Sequence, residues 1–147
     1  MEIERKYLIQ VADIPFNPKD FPCRKIKQGY LNRNPVVRVR QDNDEYYLTY
    51  KGSGLMAREE FNLPLNRESF NHLLKKCDGK ILMKDRYVIP LDKVLAIEMD
   101  FFQGDYKGLV MAEVEFPDEK MANSFTPPSW FGQDVTFDPA YHNSNMI

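Results

Sequence analysis

The sequence predicts a mainly β (α+β) domain: about eight strands in a largely antiparallel meander, with a few flanking helices. Three observations predict it. Short segments of alternating charged and apolar residues recur along the chain, and strand side chains alternate between faces with period two. Most connections between these segments are short, which suits hairpin pairing rather than parallel crossovers. One long stretch has helical period, with Phe70, Leu73, Leu74 and Cys77 at i, i+3, i+4 and i+7.

The elements follow in order. Residues 2–9 set Glu2, Glu4 and Lys6 against Ile3, Arg5 and Tyr7. Pro15, Pro18 and Pro22 make 10–22 an irregular loop. Residues 23–33 read as a second strand, Asn34-Pro35 as a break and Val36–Arg40 as a third strand. The turn Gln41–Asp44 returns the chain through Glu45–Lys51, and Gly52-Ser53-Gly54 turns it again. A strand at 56–65 precedes the helix at 66–77, for which Asn66 is the expected N-cap and Gly79 the expected stop. Strands follow at 81–89, 94–102 and 108–116, then a short helix at 118–124 after Pro117. Pro127-Pro128 marks 126–130 as loop, and 138–147 is expected to form another turn of helix.

Composition bounds the function. The chain has 147 residues, 20 Lys+Arg against 22 Asp+Glu, and a net charge of -2. That length suits a single domain spanning 1–147 with a core that needs no staples. The sequence pI near 5.7 argues against a partner that is a nucleic-acid polymer. No apolar run suggests a signal peptide or membrane span, so the expected location is cytoplasmic, with no membrane partner. Cys23 and Cys77 form no CxxC motif and read as reduced core thiols. His72 and His142 lack zinc-ligand spacing.

The polar side of the strands carries the chemical information. Collected at i, i+2 spacing it holds Glu2, Glu4 and Lys6, then Arg38 and Arg40, then Lys51 beside Thr49. Arg58 and Glu60, Lys84 and Arg86, Glu98 and Asp100, and Glu113 and Glu115 complete it: seven basic and seven acidic residues. The opposite sides are apolar, as with Ile97, Met99 and Phe101 behind Glu98 and Asp100. Two arrangements satisfy this pattern. An open antiparallel sheet can show a charged face to water. Alternatively, eight strands can close with the charges inside. Paired charges on nearly every strand, with four Arg among the seven bases, fit a phosphate-binding interior better than a generic wet face. Like charges about 4 Å apart at an effective dielectric of 20 interact by about 4 kcal/mol. Such an interior therefore calls for a ligand of matching charge, a polyanion with divalent metal. The apolar outside would need covering by the 66–77 helix, the C-terminal helices and a second subunit, so a homodimer is an expected arrangement.

These residues resemble the CYTH, or triphosphate tunnel metalloenzyme, superfamily. Glu2-Ile3-Glu4-Arg5-Lys6 matches its ExExK signature. Gln28-Gly29-Tyr30-Leu31, Arg38–Arg40, Thr49–Lys51, Lys84–Arg86, Glu113–Glu115 and the Trp130-Phe131-Gly132 tail are similar to its later blocks, in order along nearly the whole chain. The resemblance implies an eight-stranded antiparallel closed β-barrel, a tunnel that binds a triphosphate with Mg²⁺ or Mn²⁺. It implies Glu2, Glu4, Glu113 and Glu115 as metal ligands. It implies Lys6, Arg38, Arg40, Lys51, Arg58, Lys84 and Arg86 as phosphate ligands. Tyr30 paired with Lys6 would orient or deprotonate the attacking water. Glu60, Glu98 and Asp100 would serve metal or neutralise cations. Asn62 stands where the family often carries an acid. The activity implied first is metal-dependent hydrolysis of inorganic triphosphate. Class IV type adenylate cyclase, thiamine or nucleoside triphosphatase, and a non-catalytic polyphosphate or nucleotide sensor are the alternatives.

Overall fold

A computed structural model describes residues 1–147. Its strands are β1 (Glu2–Ile9), β2 (Cys23–Arg33), β3 (Val36–Asp42), β4 (Glu45–Lys51), β5 (Ala57–Arg58), β6 (Glu60–Leu65), β7 (Asp78–Pro90), β8 (Ala96–Phe102), β9 (Val110–Glu115) and β10 (Phe131–Asp134). Two α-helices, α1 (Arg67–Leu74) and α2 (Glu119–Ser124), flank them. All strands belong to one sheet, in the order β10-β1-β9-β8-β7-β2-β3-β4-β6, and each paired neighbour is antiparallel. The sheet comes round on itself. β5 pairs with β1 through Glu2↔Arg58 and Ile3↔Ala57, while β6 pairs with β4 from Lys51↔Glu60 to Tyr46↔Leu65. Only Glu59 separates β5 from β6, so the expected strand at 56–65 bridges the two ends of the sheet in two pieces.

Ten strands therefore replace the expected eight: one is split, and β10 is added beside Tyr7–Ile9 of β1. Phe131–Asp134 shows no alternation, so only its partner strand makes it a strand. Helix α1 begins as expected, with Asn66 Oδ1 accepting from the Ser69 N–H at 2.7 Å. It ends at Leu74, before the expected boundary, and Gly79 is not its stop. Gly79 lies within β7 at φ +66°, and a Cβ there would come within 2.9 Å of the Ile147 carbonyl carbon. The C-terminal residue packs where that side chain is missing. The tail forms two 3₁₀ turns, Pro139–Tyr141 and Asn143–Asn145.

Burial decides which face is inside. Ile97, Met99, Ala112 and Val114 point outward from β8 and β9 into the main apolar core, each at most 1% exposed. The 10–22 segment covers that core with Ile14, Phe16 and Phe21, together with Phe125, Trp130 and Phe131 from the C-terminal part. Helix α1 instead covers the β2–β4 side, inserting Phe70 against Tyr46. Sequence reasoning assigned cover to the helices and missed the proline-rich loop, whose apolar residues have no regular period. Trp130 sits edge-on to Phe16 and Phe131, with ring centroids 5.4 and 4.7 Å away. Cys23 and Cys77 are half-buried rather than fully in the core.

The inner face changes character along the strands. β7 presents Leu82, then Lys84 and Arg86; β9 presents Met111, then Glu113 and Glu115; β3 presents Val36, then Arg38 and Arg40. The apolar members meet in a second buried cluster of Tyr30, Val36, Leu82, Phe102, Met111 and Met146. Met146 comes from the tail, and the Tyr106 hydroxyl donates to its carbonyl at 2.7 Å. The charged interior therefore ends in an apolar layer sealed by the C-terminal turn. No helix is long and apolar enough to cross a membrane.

Candidate functional site

The charged inner faces enclose a cavity of about 190 Å³. Of the fourteen inward charges collected from strand alternation, only Asp100 is absent from its lining; it sits behind the wall with no solvent exposure. Apart from Tyr30 and Val36, every lining residue is charged or polar. A second hollow of about 740 Å³ shares Arg24, Arg38, Arg40 and Asn62 with the first and is bounded by the β3–β4 turn, Asp42–Glu45. That turn forms the mouth.

One wall is acidic. On β1 and β9 the register places Glu4 opposite Glu115 and Lys6 opposite Glu113. Lys6 Nζ lies 3.7 Å from Glu4 and 3.5 Å from Glu113, and Lys51 Nζ lies 2.7 Å from Glu2 and 3.4 Å from Glu60. The two lysines thus stand between the carboxylates, and no three of the acids converge into a ready-made cation cage. The local fields divide the acids. Burial, with the charges of Glu113 and Glu2, pushes the Glu4 carboxyl well up. Burial also acts against the Glu113 charge, but Lys6 and Arg86 overcome it and hold that carboxyl well down. Glu115 is pushed up by its partial burial and by Glu2 and Glu98. For Glu60, burial is outweighed by the Glu2 carboxyl and the Lys51 ammonium, which bring it to about 2. Burial works against the Lys6 charge, yet Glu113 and Glu4 raise its pKa, so Lys6 is an ammonium at neutral pH.

The opposite wall is basic. Arg38 donates from Nη2 to Thr49 Oγ1 at 3.3 Å, but its Nε is buried without a partner. Arg40 donates from Nε to Gln28 Oε1 at 2.9 Å; burial and the charges of Arg38 and Arg86 lower its pKa to about 9. Arg58 donates to the Gly52 carbonyl at 3.0 Å and still lines the cavity. Arg86 grips Asp100 through Nε at 2.7 Å and Nη2 at 3.0 Å, and reaches Glu98 at 3.0 Å. Lys84 reaches Asp100 Oδ2, the oxygen that Arg86 Nη2 also holds, at 2.8 Å. Asp100 and Glu98 therefore neutralise cations here. One carboxylate shared by two cations leaves Lys84 short of compensation: burial, with Arg86 and Arg40 nearby, lowers its pKa to about 7 despite Asp100.

The expected contact between Tyr30 and Lys6 is not a direct hydrogen bond. Gln28, two residues away on the same face, donates from Nε2 to the Tyr30 hydroxyl at 2.9 Å, while Lys6 leans toward its acids. Asn62 links the walls: it accepts from Thr49 Oγ1 at 2.6 Å and donates to Glu60 at 3.1 Å.

Residues 1–125 match the CYTH domain family. The chain belongs to that family. The inorganic triphosphatase of Nitrosomonas europaea is 34% identical over 148 residues, covering 99% of this chain and 95% of that protein. The inorganic triphosphatase of Acetivibrio thermocellus is 35% identical over 150 residues, covering 99% and 92%. The crystal structure of the inorganic triphosphatase NE1496 superposes with a TM-score of 0.71 at 32% identity, covering 99% of this chain and 93% of that one.

Within this CYTH tunnel, sequence reasoning missed four polar lining residues. Arg24 pairs with Asp42 at 2.5 Å and Glu98 at 3.8 Å at the mouth. It shares the period-two phase of Gln28 and Tyr30, a signal masked by Lys25 and Lys27 between them. His142, Asn143 and Ser144 arrive from the tail, and no periodicity announces them. The His142 Nε2 lies 3.1 Å from the Thr136 carbonyl, and burial with the Lys6 charge lowers its pKa.

Proposed function

We propose that this CYTH protein hydrolyses inorganic triphosphate with a divalent metal. The observation that carries this reading is the cavity lining: cations on one wall, carboxylates on the other, and no apolar shelf on which a nucleobase could rest. The two walls carry opposite surpluses. Arg38 has a buried donor without a partner, and Glu4 resists ionisation because it is buried beside Glu113 and Glu2. A phosphate chain relieves the first surplus and a cation the second.

Glu2, Glu4, Glu113 and Glu115 are assigned to the metal. Their carboxylate oxygens are the hard donors that Mg²⁺ and Mn²⁺ prefer, and a cation would offset the burial and the Glu113 and Glu2 charges that push Glu4 up. When bound, the metal would neutralise charge on the phosphate oxygens. Arg38, Arg40 and Arg58 are assigned to the phosphates, with Arg86, Lys84 and Lys51 setting the positive potential. Lys6, a stable ammonium, positions the attacking water rather than deprotonating it, and Tyr30 shapes the same pocket.

The test is a substrate panel. Purified protein is incubated with tripolyphosphate, ATP and thiamine triphosphate, with and without Mg²⁺ or Mn²⁺. Phosphate release from tripolyphosphate, well above the other two and abolished by chelator, is expected. Cyclic AMP from ATP, or faster cleavage of either organic triphosphate, overturns the assignment.

A further inference from the structure

The tail does more than seal the apolar end. Asn143, only 7% exposed, projects its side chain into the charged cavity. Its Oδ1 accepts from Lys84 Nζ at 2.8 Å and from Gln28 Nε2 at 3.1 Å. Both donors are wall groups, and an oxygen held by an ammonium and an amide is bound as a phosphate oxygen would be. Behind it, Asn143 Nδ2 lies 3.7 Å from the Met146 sulfur, and Met146 belongs to the apolar layer. From the mouth inward the contacts run Arg40, Gln28, Asn143, Met146.

The geometry points to Asn143 as the stop that limits the length of the phosphate chain: its carboxamide occupies the oxygen position at Lys84 and Gln28 that a further phosphate would need. The residue is specificity-determining and takes no part in bond breaking. This inference rests on the triphosphatase reading and refines its substrate class. Arg38 and Arg40 line both the cavity and its mouth, and Arg38 Nε has no hydrogen-bond partner. Lys84 and Gln28, which line no part of the mouth, each already give one donor to Asn143 Oδ1 and another to Asp100 or Tyr30. A longer chain must displace Asn143 and then meets Met146, which offers a phosphate no donor.

Two measurements test it. With chelator present, so that nothing is cleaved, binding of tripolyphosphate, tetrapolyphosphate and a polyphosphate of about ten units is compared on the unaltered protein. Tripolyphosphate is expected to bind at least tenfold more tightly per site than tetrapolyphosphate, and equal affinities overturn the inference. Turnover of the same three chains by the Asn143→Ala and Asn143→Asp variants follows. Asn143→Ala is expected to raise the tetra-to-tripolyphosphate ratio of kcat/KM at least tenfold. Asn143→Asp keeps an acceptor for Lys84 and is expected to keep the original ratio. An unchanged ratio in folded Asn143→Ala, or an equal rise in both variants, refutes the role. If tripolyphosphate binds but is never cleaved, the triphosphatase reading fails, while the binding comparison still decides the stop.

Discussion

The two walls of the tunnel use the same strand geometry and reach opposite electrostatic states. On β1 and β9, Lys6 stands between Glu4 and Glu113, and burial with the surrounding acids holds Glu4 well up while Lys6 and Arg86 hold Glu113 well down. On β3, Arg38 and Arg40 face a threonine and a glutamine, and the imbalance appears as a buried guanidinium Nε with no acceptor. Buried charge is tolerable when paired and hydrogen-bonded. Neither wall meets that condition alone. Lys51 and Arg86 reach Glu2 and Glu113 of the acidic wall, while Lys6 stands among the acids of its own wall. The unliganded tunnel is therefore two half-sites whose defects have opposite sign, which is what a metal–polyanion pair would correct.

The largest effect should come from the acidic wall. Glu4→Gln keeps the shape and removes the carboxylate that a metal would require at a group held well up by burial and by Glu113 and Glu2. It is expected to lower kcat with tripolyphosphate by about a hundredfold or more, without loss of fold. Full activity with an unchanged circular dichroism spectrum would remove Glu4 from the metal site. The basic wall should respond differently. Arg38→Met deletes a buried, partly unpaired charge, so the unliganded protein is expected to gain about 1 kcal/mol, or roughly 2–4 °C in Tm. The same variant should lose roughly tenfold or more in kcat/KM, through both kcat and KM. A lower Tm would mean that Arg38 is already compensated and that the walls are not mismatched as described.

Lys84 sharpens the comparison through pH. Its pKa of about 7 reflects burial and a carboxylate shared with Arg86. A polyanion in the cavity favours the ammonium, so binding should take up a proton above that pH. Affinity is highest below pH 7 and falls as pH rises, by up to about tenfold between pH 6 and 8. Lys84→Arg, which does not titrate in this range, should flatten the part of the profile that tripolyphosphate's own ionisation does not explain. Identical slopes in both proteins would assign the whole dependence to the ligand.

Much of this was legible in the residues, for a definite reason. Period-two alternation carries through closure, so of the fourteen charges listed at i, i+2 only Asp100 fails to line the cavity, while Arg24 in the same phase on β2 went unlisted. The exception follows from pairing: Asp100 is drawn behind the wall by Arg86 and Lys84. What alternation could not convey was anything set by chain ends or single contacts. β10 exists because β1 has a free edge, and Phe131–Asp134 has no pattern of its own. Gly79 resembled a helix stop but makes room for Ile147. Asn143 enters from a segment whose sequence, Tyr141-His142-Asn143-Ser144, signals only polarity.

The smallest effect is expected where the walls meet. Asn62 accepts from Thr49 while donating to Glu60. Glu60 is already held to about 2, in part by that donor. Asn62→Asp would keep the acceptor for Thr49 but exchange the donor for a second negative charge beside Glu60, raising the Glu60 pKa. Because Lys51 and Glu2 supply the larger share of what holds Glu60 down, the change in Mn²⁺ affinity should be no more than about tenfold. Isothermal titration of Mn²⁺ into both proteins measures it. A loss of a hundredfold would show that Asn62, at the seam between the walls, governs the acidic half-site as strongly as the carboxylates themselves, and the division into two walls would have to be redrawn around it.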